Sequence, residues 1–265
     1  MLSLILPDKH GELGDKFDKY KNDSTYFGAT VEQVANRIGR DHFTLNGTCY
    51  KLFTNEGNNT LIWQCVIWTM KSYREESCFP GDLSVSVTYI IIETNKLGVK
   101  LEAKALNKAT PVNLALHTYW NLGGHNNGDI LSHTIQLFGS KINRVDEHLI
   151  PASGIMYIVE SPYDFLQRHQ IGSRINELSH GYDINYVLDN MGHRHRKKVM
   201  IVGDSITGRK MELWSNQPGM QFYTANYLEN KGGKGGFVYS SHAGLCSETR
   251  GFPECESPKF SFTDH

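Results

Sequence analysis

An imidazole at His117, carboxylates at Asp183 and Glu248, and an amide at Gln221 are the side chains best placed for proton transfer and hydroxyl binding. His117 lies in TPVNLALHTYWNL, Thr110 to Leu122. Read as a strand, this stretch sends Leu114, Leu116 and Trp120 to one face and Asn113, His117 and Tyr119 to the other. Asp183 and Asn185 oppose Tyr182, Ile184 and Tyr186 in GYDINYVL, and Gln221 and Tyr223 oppose Met220 and Phe222 in PGMQFYTANYL. In HAGLCSETRGFPE, Glu248 shares its face with Cys246 and Arg250. Each residue alone has a plainer reading. A strand histidine is more often hydrogen-bonded structure than catalyst, and a strand glutamate is more often solvated. Together they supply an imidazole, the side chain type whose unperturbed pKa of about 6.5 lies nearest neutrality, with two carboxylates, amides and aromatic rings. Such a set suits a polyol, whose hydroxyls take bidentate acceptors and amides while its ring faces take aromatics.

The elements that must position them are short and alternating. Leu83, Val85, Val87, Tyr89 and Ile91 alternate with Ser84, Ser86 and Thr88 after the turn signal Phe79-Pro80-Gly81-Asp82. Thr94-Asn95-Lys96 reverses the chain, and the return carries Leu97, Val99, Leu101, Ala103 and Ala105 opposite Lys100, Glu102 and Lys104. The pattern predicts an antiparallel hairpin with one wet face. A second hairpin is predicted at Val199–Val202 and Lys210–Trp214. Helical candidates are few: Val31–Ile38 and Ile171–Leu178. Many strands, frequent turns and few helices predict an all-β sandwich or barrel, and large all-β folds reach 265 residues as a single domain, here 1–265.

Composition narrows the partners. The formal net charge of -1 gives no pull toward nucleic acid or anionic membrane, and no segment is long and apolar enough to span a bilayer. The run His193-Arg194-His195-Arg196-Lys197-Lys198 reads as a solvated loop rather than an anion site. Lys231-Gly232-Gly233-Lys234-Gly235-Gly236 lacks the spacing of a phosphate loop and reads as a mobile loop. Cys49, Cys65, Cys78, Cys246 and Cys255 are odd in number and form no CxxC pair, which argues against a disulfide framework or zinc site and fits a reducing compartment. The opening MLSLILPDK carries too short an apolar run for a signal peptide, so the expected location is the cytoplasm.

The four segments, in this order, resemble the aldose 1-epimerase (galactose mutarotase) family, with wording closest to its plant members. YFGATVEQVANRI, FTLNG, FPGDL, LNKATPVNLALHTYWNL and GDIL extend the similarity over nearly the whole chain. The resemblance implies a large antiparallel β-sandwich with a sugar groove on one sheet. It implies His117 as general acid, Glu248 as general base, Asp183 and Gln221 as grips on sugar hydroxyls, and Asn36 and Arg37 as a binding pair. It further implies an aldohexose substrate, no cofactor or metal, and a monomer or weak dimer.

Several positions depart from the family pattern. The N-x-L-H-G-G segment with a second active-site histidine reads Asn58-Asn59-Thr60-Leu61-Ile62-Trp63-Gln64 here. Ile184 replaces a histidine, and Cys246-Ser247-Glu248-Thr249-Arg250 stands for C-L-E-T-Q, so a cation sits beside the base. Glu32 and Gln33 replace Gly and Arg. Both ends are shorter than the family's, and sequence is missing before Cys78. Two expectations follow: a working epimerase, or a catalytically impaired sugar-binding relative. A third, weaker one is a glycoside hydrolase with Asp183 and Glu248 flanking the scissile bond.

Overall fold

A computed structural model of the chain describes residues 3–5, 25–31, 34–61, 65–66, 71–72, 79–93, 95–189, 196–252 and 259–260. The alternation of Val, Ile, Leu and aromatic residues with polar ones produces strands almost throughout. Among the described residues the helical turns are three-residue 3₁₀ segments only. The described strand pairings are antiparallel, except where Lys259–Phe260 runs alongside Thr44–Leu45. The chain divides into two compact units, one of residues 1–28, 116–144 and 154–252, the other of residues 29–115, 145–153 and 253–265.

The first unit is built on a seven-stranded sheet. Its strands run in the spatial order Ser3–Ile5, Tyr119–Asn121, Leu245–Arg250, Gly219–Tyr223, Asp183–Val187, Lys141–Val145 and Pro151–Tyr157. Register fixes its two faces, because residues directly opposite one another on neighbouring strands point the same way. Tyr119 pairs with Cys246, Tyr223 with Cys246, Gln221 with Glu248, Gly219 with Arg250, Asp183 with Tyr223, and Asn185 with Gln221. All these therefore share one face. The other face carries Ile184, Tyr186, Met220, Phe222 and Leu245, all buried. It packs against a four-stranded sheet containing Thr134–Leu137, Lys197–Gly203 and Lys210–Ser215, whose Ile135, Leu137, Met200 and Val202 are buried. Contact between the layers is direct at Ser247, whose hydroxyl donates to Met200 Sδ at 3.1 Å. Phe222 anchors this core, with its ring 5.4 Å from that of Tyr182 and 6.1 Å from that of Phe165.

In the second unit Ile38, Phe43, Leu45, Leu52 and Phe79 form a core, with Phe43 stacked on both Tyr50 and Phe79. Its longest element is the predicted hairpin, Leu83–Glu93 paired with Lys96–Ala105 from Leu83↔Ala105 to Glu93↔Lys96. The expectation of one wet face fails toward the tip. Tyr89, Ile90, Ile91 and Ile92 are all exposed, Ile91 by 82%, so both faces there meet solvent.

The second predicted hairpin forms as Lys197–Gly203 with Lys210–Ser215, and Asp204 closes its turn by accepting from Ile206 N, Thr207 N and Thr207 Oγ1. The first predicted helix does not form. Val31 ends the strand Ala29–Val31, and Arg37–Ile38 begins another. Two β-branched ends suit strands, and Asn36 between them takes φ 80°, which no helix contains. Ile171–Leu178 shortens to 3₁₀ turns at Ile171–Ser173 and Ile175–Glu177. Lys231-Gly232 pairs with Val238–Tyr239 in a small hairpin rather than an open loop. Of the basic run, residues 193–195 lie outside the described residues, while Lys198 pairs with Glu212 at 2.8 Å.

Candidate active site

His117 closes the strand Ala115–His117, one residue before Tyr119–Asn121 in the seven-stranded sheet. The Gly28 N–H donates to its carbonyl at 3.0 Å, and the rings of Tyr119, Tyr26 and Tyr223 lie 5.1, 5.9 and 6.4 Å from its own. Its Nδ1 is buried and has no hydrogen-bond partner among the described residues. Backbone and aromatic packing therefore set the ring, and Nε2 is the nitrogen that faces the chemistry. That atom stands 3.5 Å from Glu248 Oε1, with both side chains under 10% exposed. The separation exceeds that of a good hydrogen bond between these groups. Two oxygens attached to a single carbon can therefore be met by both residues at once.

Glu248 is held from the other side. Arg250 Nη1 lies 3.4 Å from Glu248 Oε2, while Arg250 Nη2 donates to Gln221 Oε1 at 2.7 Å. Gln221 Nε2 in turn donates to Asp183 Oδ1 at 2.7 Å. Guanidinium can only donate and carboxylate can only accept, so the Gln221 amide has one permitted orientation. Arg250, at 1% exposure, is thus the buried cation that links base, amide and second carboxylate in one network. The same face continues to Asn185, whose Nδ2 donates to Asn143 Oδ1 at 2.7 Å.

Burial pushes the Tyr119 and Tyr223 phenols and the Cys246 thiol up from their ordinary values, so all three are neutral at pH 7. Cys246, 3.9 Å from Glu248 Oε1, is therefore a thiol donor and not an activated nucleophile. Alternation anticipated which residues share the site face. Around His117 the polar side is the more buried one, with His117 and Tyr119 buried and Leu116 and Trp120 only half-buried. On the neighbouring strands Gln221, Glu248 and Arg250 are buried alongside Met220, Phe222 and Leu245 on the opposite face. Asn143 was not singled out from the sequence; its strand, KINRV, shows no clean alternation.

Asn36 and Arg37 lie in the second unit. Asn36 Oδ1 accepts from the Arg37 N–H at 2.7 Å, and the Arg37 guanidinium grips Glu56 with Nε–Oε2 2.7 Å and Nη2–Oε1 3.0 Å. The replaced positions Ile62, Trp63 and Gln64, like Glu32, Gln33 and Cys78, fall outside the described residues.

The profile of the family described as Aldose 1-epimerase matches residues 1–261. The chain belongs to the aldose 1-epimerase family. This is a family of isomerases, which sets aside the glycoside hydrolase expectation. The galactose mutarotase of Mus musculus is 32% identical over 97% of this chain and 82% of its own length. That of Bos taurus is 34% identical over 91% of this chain and 74% of its own. Among solved structures, the aldose epimerase homologue of C. elegans superposes with a TM-score of 0.79 at 20% identity, over 93% of this chain and 78% of that one, and so shares its fold. Against the aldose 1-epimerase pattern, Ile184 faces the core beside Phe222, where an apolar side chain belongs. Arg250 is the departure that changes the site.

Proposed function

We propose that this chain is an aldose 1-epimerase interconverting the α- and β-anomers of a free aldohexose such as glucose or galactose, with Glu248 as base and His117 as acid. One observation carries the assignment of roles. His117 Nε2 and Glu248 Oε1 converge at 3.5 Å on a buried polar face that also holds Asp183 and Gln221. The anomeric hydroxyl and the ring oxygen of a pyranose share one carbon, so the acid and the base must meet adjacent atoms.

Glu248, as carboxylate, takes the proton of the anomeric hydroxyl while His117, as imidazolium, gives one to the ring oxygen. The bond between the anomeric carbon and the ring oxygen breaks, leaving an open-chain aldehyde. Rotation about its first carbon–carbon bond presents the other carbonyl face. Reclosure reverses both transfers, so the enzyme ends as it began. Each general acid–base group of this kind contributes about 10²–10⁴-fold. Arg250 binds Glu248 Oε2, which leaves Oε1 turned toward His117. Asp183 and Gln221 take sugar hydroxyls. Asn36 and Arg37 enter the proposal as a binding pair on the family resemblance of their segment.

The test is polarimetry of fresh α-D-glucose and α-D-galactose with the folded chain. A rate above the buffer rate is expected, falling by about 10²–10⁴-fold in His117→Ala and in Glu248→Gln. A wild-type rate equal to buffer, or variants as fast as wild type, would refute the assignment. No helix among the described residues is long and apolar enough to cross a membrane. A cytoplasmic enzyme, monomeric or weakly dimeric, fits the scattered cysteines and is checked by fractionation and sedimentation.

A further inference from the structure

The acid–base pair has a third neighbour that the reaction does not use. Cys246 stands two residues before Glu248 on the same strand, so alternation puts both side chains on the site face, and register places Tyr119, just beyond His117, directly opposite Cys246. The result is one donor atom each from an imidazole, a thiol and a carboxylate, all within 4.8 Å of one another and all on buried residues. Nε2 to Oε1 is 3.5 Å and Sγ to Oε1 is 3.9 Å.

The Nε2–Oε1 and Sγ–Oε1 separations are close to what a single small cation needs, and the Nε2–Sγ separation, within 4.8 Å, shortens when one binds. Zinc bonds of about 2.1 Å to nitrogen or oxygen and about 2.3 Å to sulfur, at tetrahedral angles, require donors roughly 3.4 to 3.6 Å apart. A small turn of the Cys246 side chain closes the remaining gap, and a solvent molecule supplies the fourth position. Nitrogen, sulfur and one oxygen form a ligand set that selects borderline-soft ions over magnesium or calcium.

We propose that His117, Cys246 and Glu248 form a reversible site for a divalent ion of the zinc class, and that its binding switches the enzyme off. The inhibitory part rests on the epimerase reading above; the binding part does not. On coordination the Cys246 thiol, and the His117 imidazolium from Nε2, release their protons to solvent as the sulfur–metal and nitrogen–metal bonds form, with no change of oxidation state. The ion occupies the Nε2 lone pair and Oε1, the two atoms through which protons must pass. Two features keep the site reversible rather than structural. The buried Nδ1 of His117 has no hydrogen-bond partner among the described residues to strengthen it as a ligand, and the Arg250 guanidinium 3.4 Å from Oε2 repels a second cation.

The experiment titrates the metal-stripped full chain with zinc chloride by calorimetry, with cobalt(II) as a spectroscopic probe and polarimetric rates in parallel. One zinc per chain is expected, together with a thiolate-to-cobalt charge-transfer band and a rate that falls in step with occupancy. Cys246→Ser, which preserves side-chain size, should lose the band and bind at least tenfold more weakly. Glu248→Gln, which preserves shape, should also bind at least tenfold more weakly. Binding at wild-type strength in both variants would place the ion on surface histidines and overturn the proposal, as would the absence of stoichiometric binding. Zinc that binds without slowing an active enzyme would overturn it equally. A chain that binds zinc as described yet never speeds mutarotation keeps the site and loses the epimerase reading.

Discussion

Replacing Arg250 with methionine tests the network that underlies the candidate site. The guanidinium is 1% exposed, donates to Gln221 Oε1 at 2.7 Å and lies 3.4 Å from Glu248 Oε2. Methionine has similar length and no charge, so little volume changes. What changes is that Glu248, at 3% exposure, loses its buried cation, and Gln221 loses the donor that fixes its amide. Removing one partner of a buried ion pair costs about 3–5 kcal/mol, because the remaining charge is left uncompensated. At about 2–4 °C per kcal/mol for a chain of this size, the melting temperature should fall by roughly 6–20 °C. The double variant Arg250→Met/Glu248→Gln removes both charges, and replacing a whole buried pair is close to neutral. It should therefore recover about half or more of the loss. Urea unfolding followed by tryptophan fluorescence gives the three free energies. A single-variant cost below about 1 kcal/mol, or a double variant less stable than Arg250→Met alone, would refute this account of the pair.

Three further outcomes can be checked on the same protein. Gln221→Leu removes both the acceptor for Arg250 and the donor to Asp183; it should lower kcat/KM by about 10–100-fold, mainly through KM, and a change below about twofold in polarimetric kinetics would count against the hydroxyl-binding role. Burial holds His133 below its ordinary value of 6.5, and its Nε2 accepts from the Leu122 N–H at 3.1 Å. The unfolded chain therefore takes up that proton at a pH where the folded chain does not, so the stability this residue contributes is complete above pH 6.5 and is lost as the pH falls below it. His133→Gln should flatten the urea midpoint between pH 8 and pH 5.5 relative to wild type, and parallel profiles would contradict the assignment. Phe222→Ala empties the aromatic centre formed with Phe165 and Tyr182, and should cost about 3–5 kcal/mol in the same urea assay; a cost below about 1 kcal/mol would mean the centre collapses to fill the gap.

Local alternation made much of the fold and site legible. It assigned His117 with Tyr119, Asp183 with Asn185, Gln221 with Tyr223, and Glu248 with Cys246 and Arg250, each to one face of its strand. That works because the side-chain period of a strand is two wherever the strand lies. It failed at Val31–Ile38, where an apolar spacing suited to a helix occurs in segments that pair as strands, since partners distant in sequence override weak local preference. It failed again at the tip of the long hairpin, because whether Ile91 is covered depends on elements remote in sequence.

The residue types and their parity along each strand were in the chain itself, and with them the chemistry available: an imidazole, carboxylates, an amide and a cation. Tertiary structure alone decided how they meet. Register set Gln221 beside Glu248 and Asn185 beside Gln221, and a slip of one residue would have turned either side chain to the opposite face. Folding buried much of the polar face as well as the apolar one, with His117, Gln221, Glu248 and Arg250 enclosed. In that setting Arg250, which in the sequence is only a cation two residues after a glutamate, orders a network reaching Asp183. No local pattern encodes that, because the distances from Arg250 through Gln221 to Asp183 come from three strands brought together by folding.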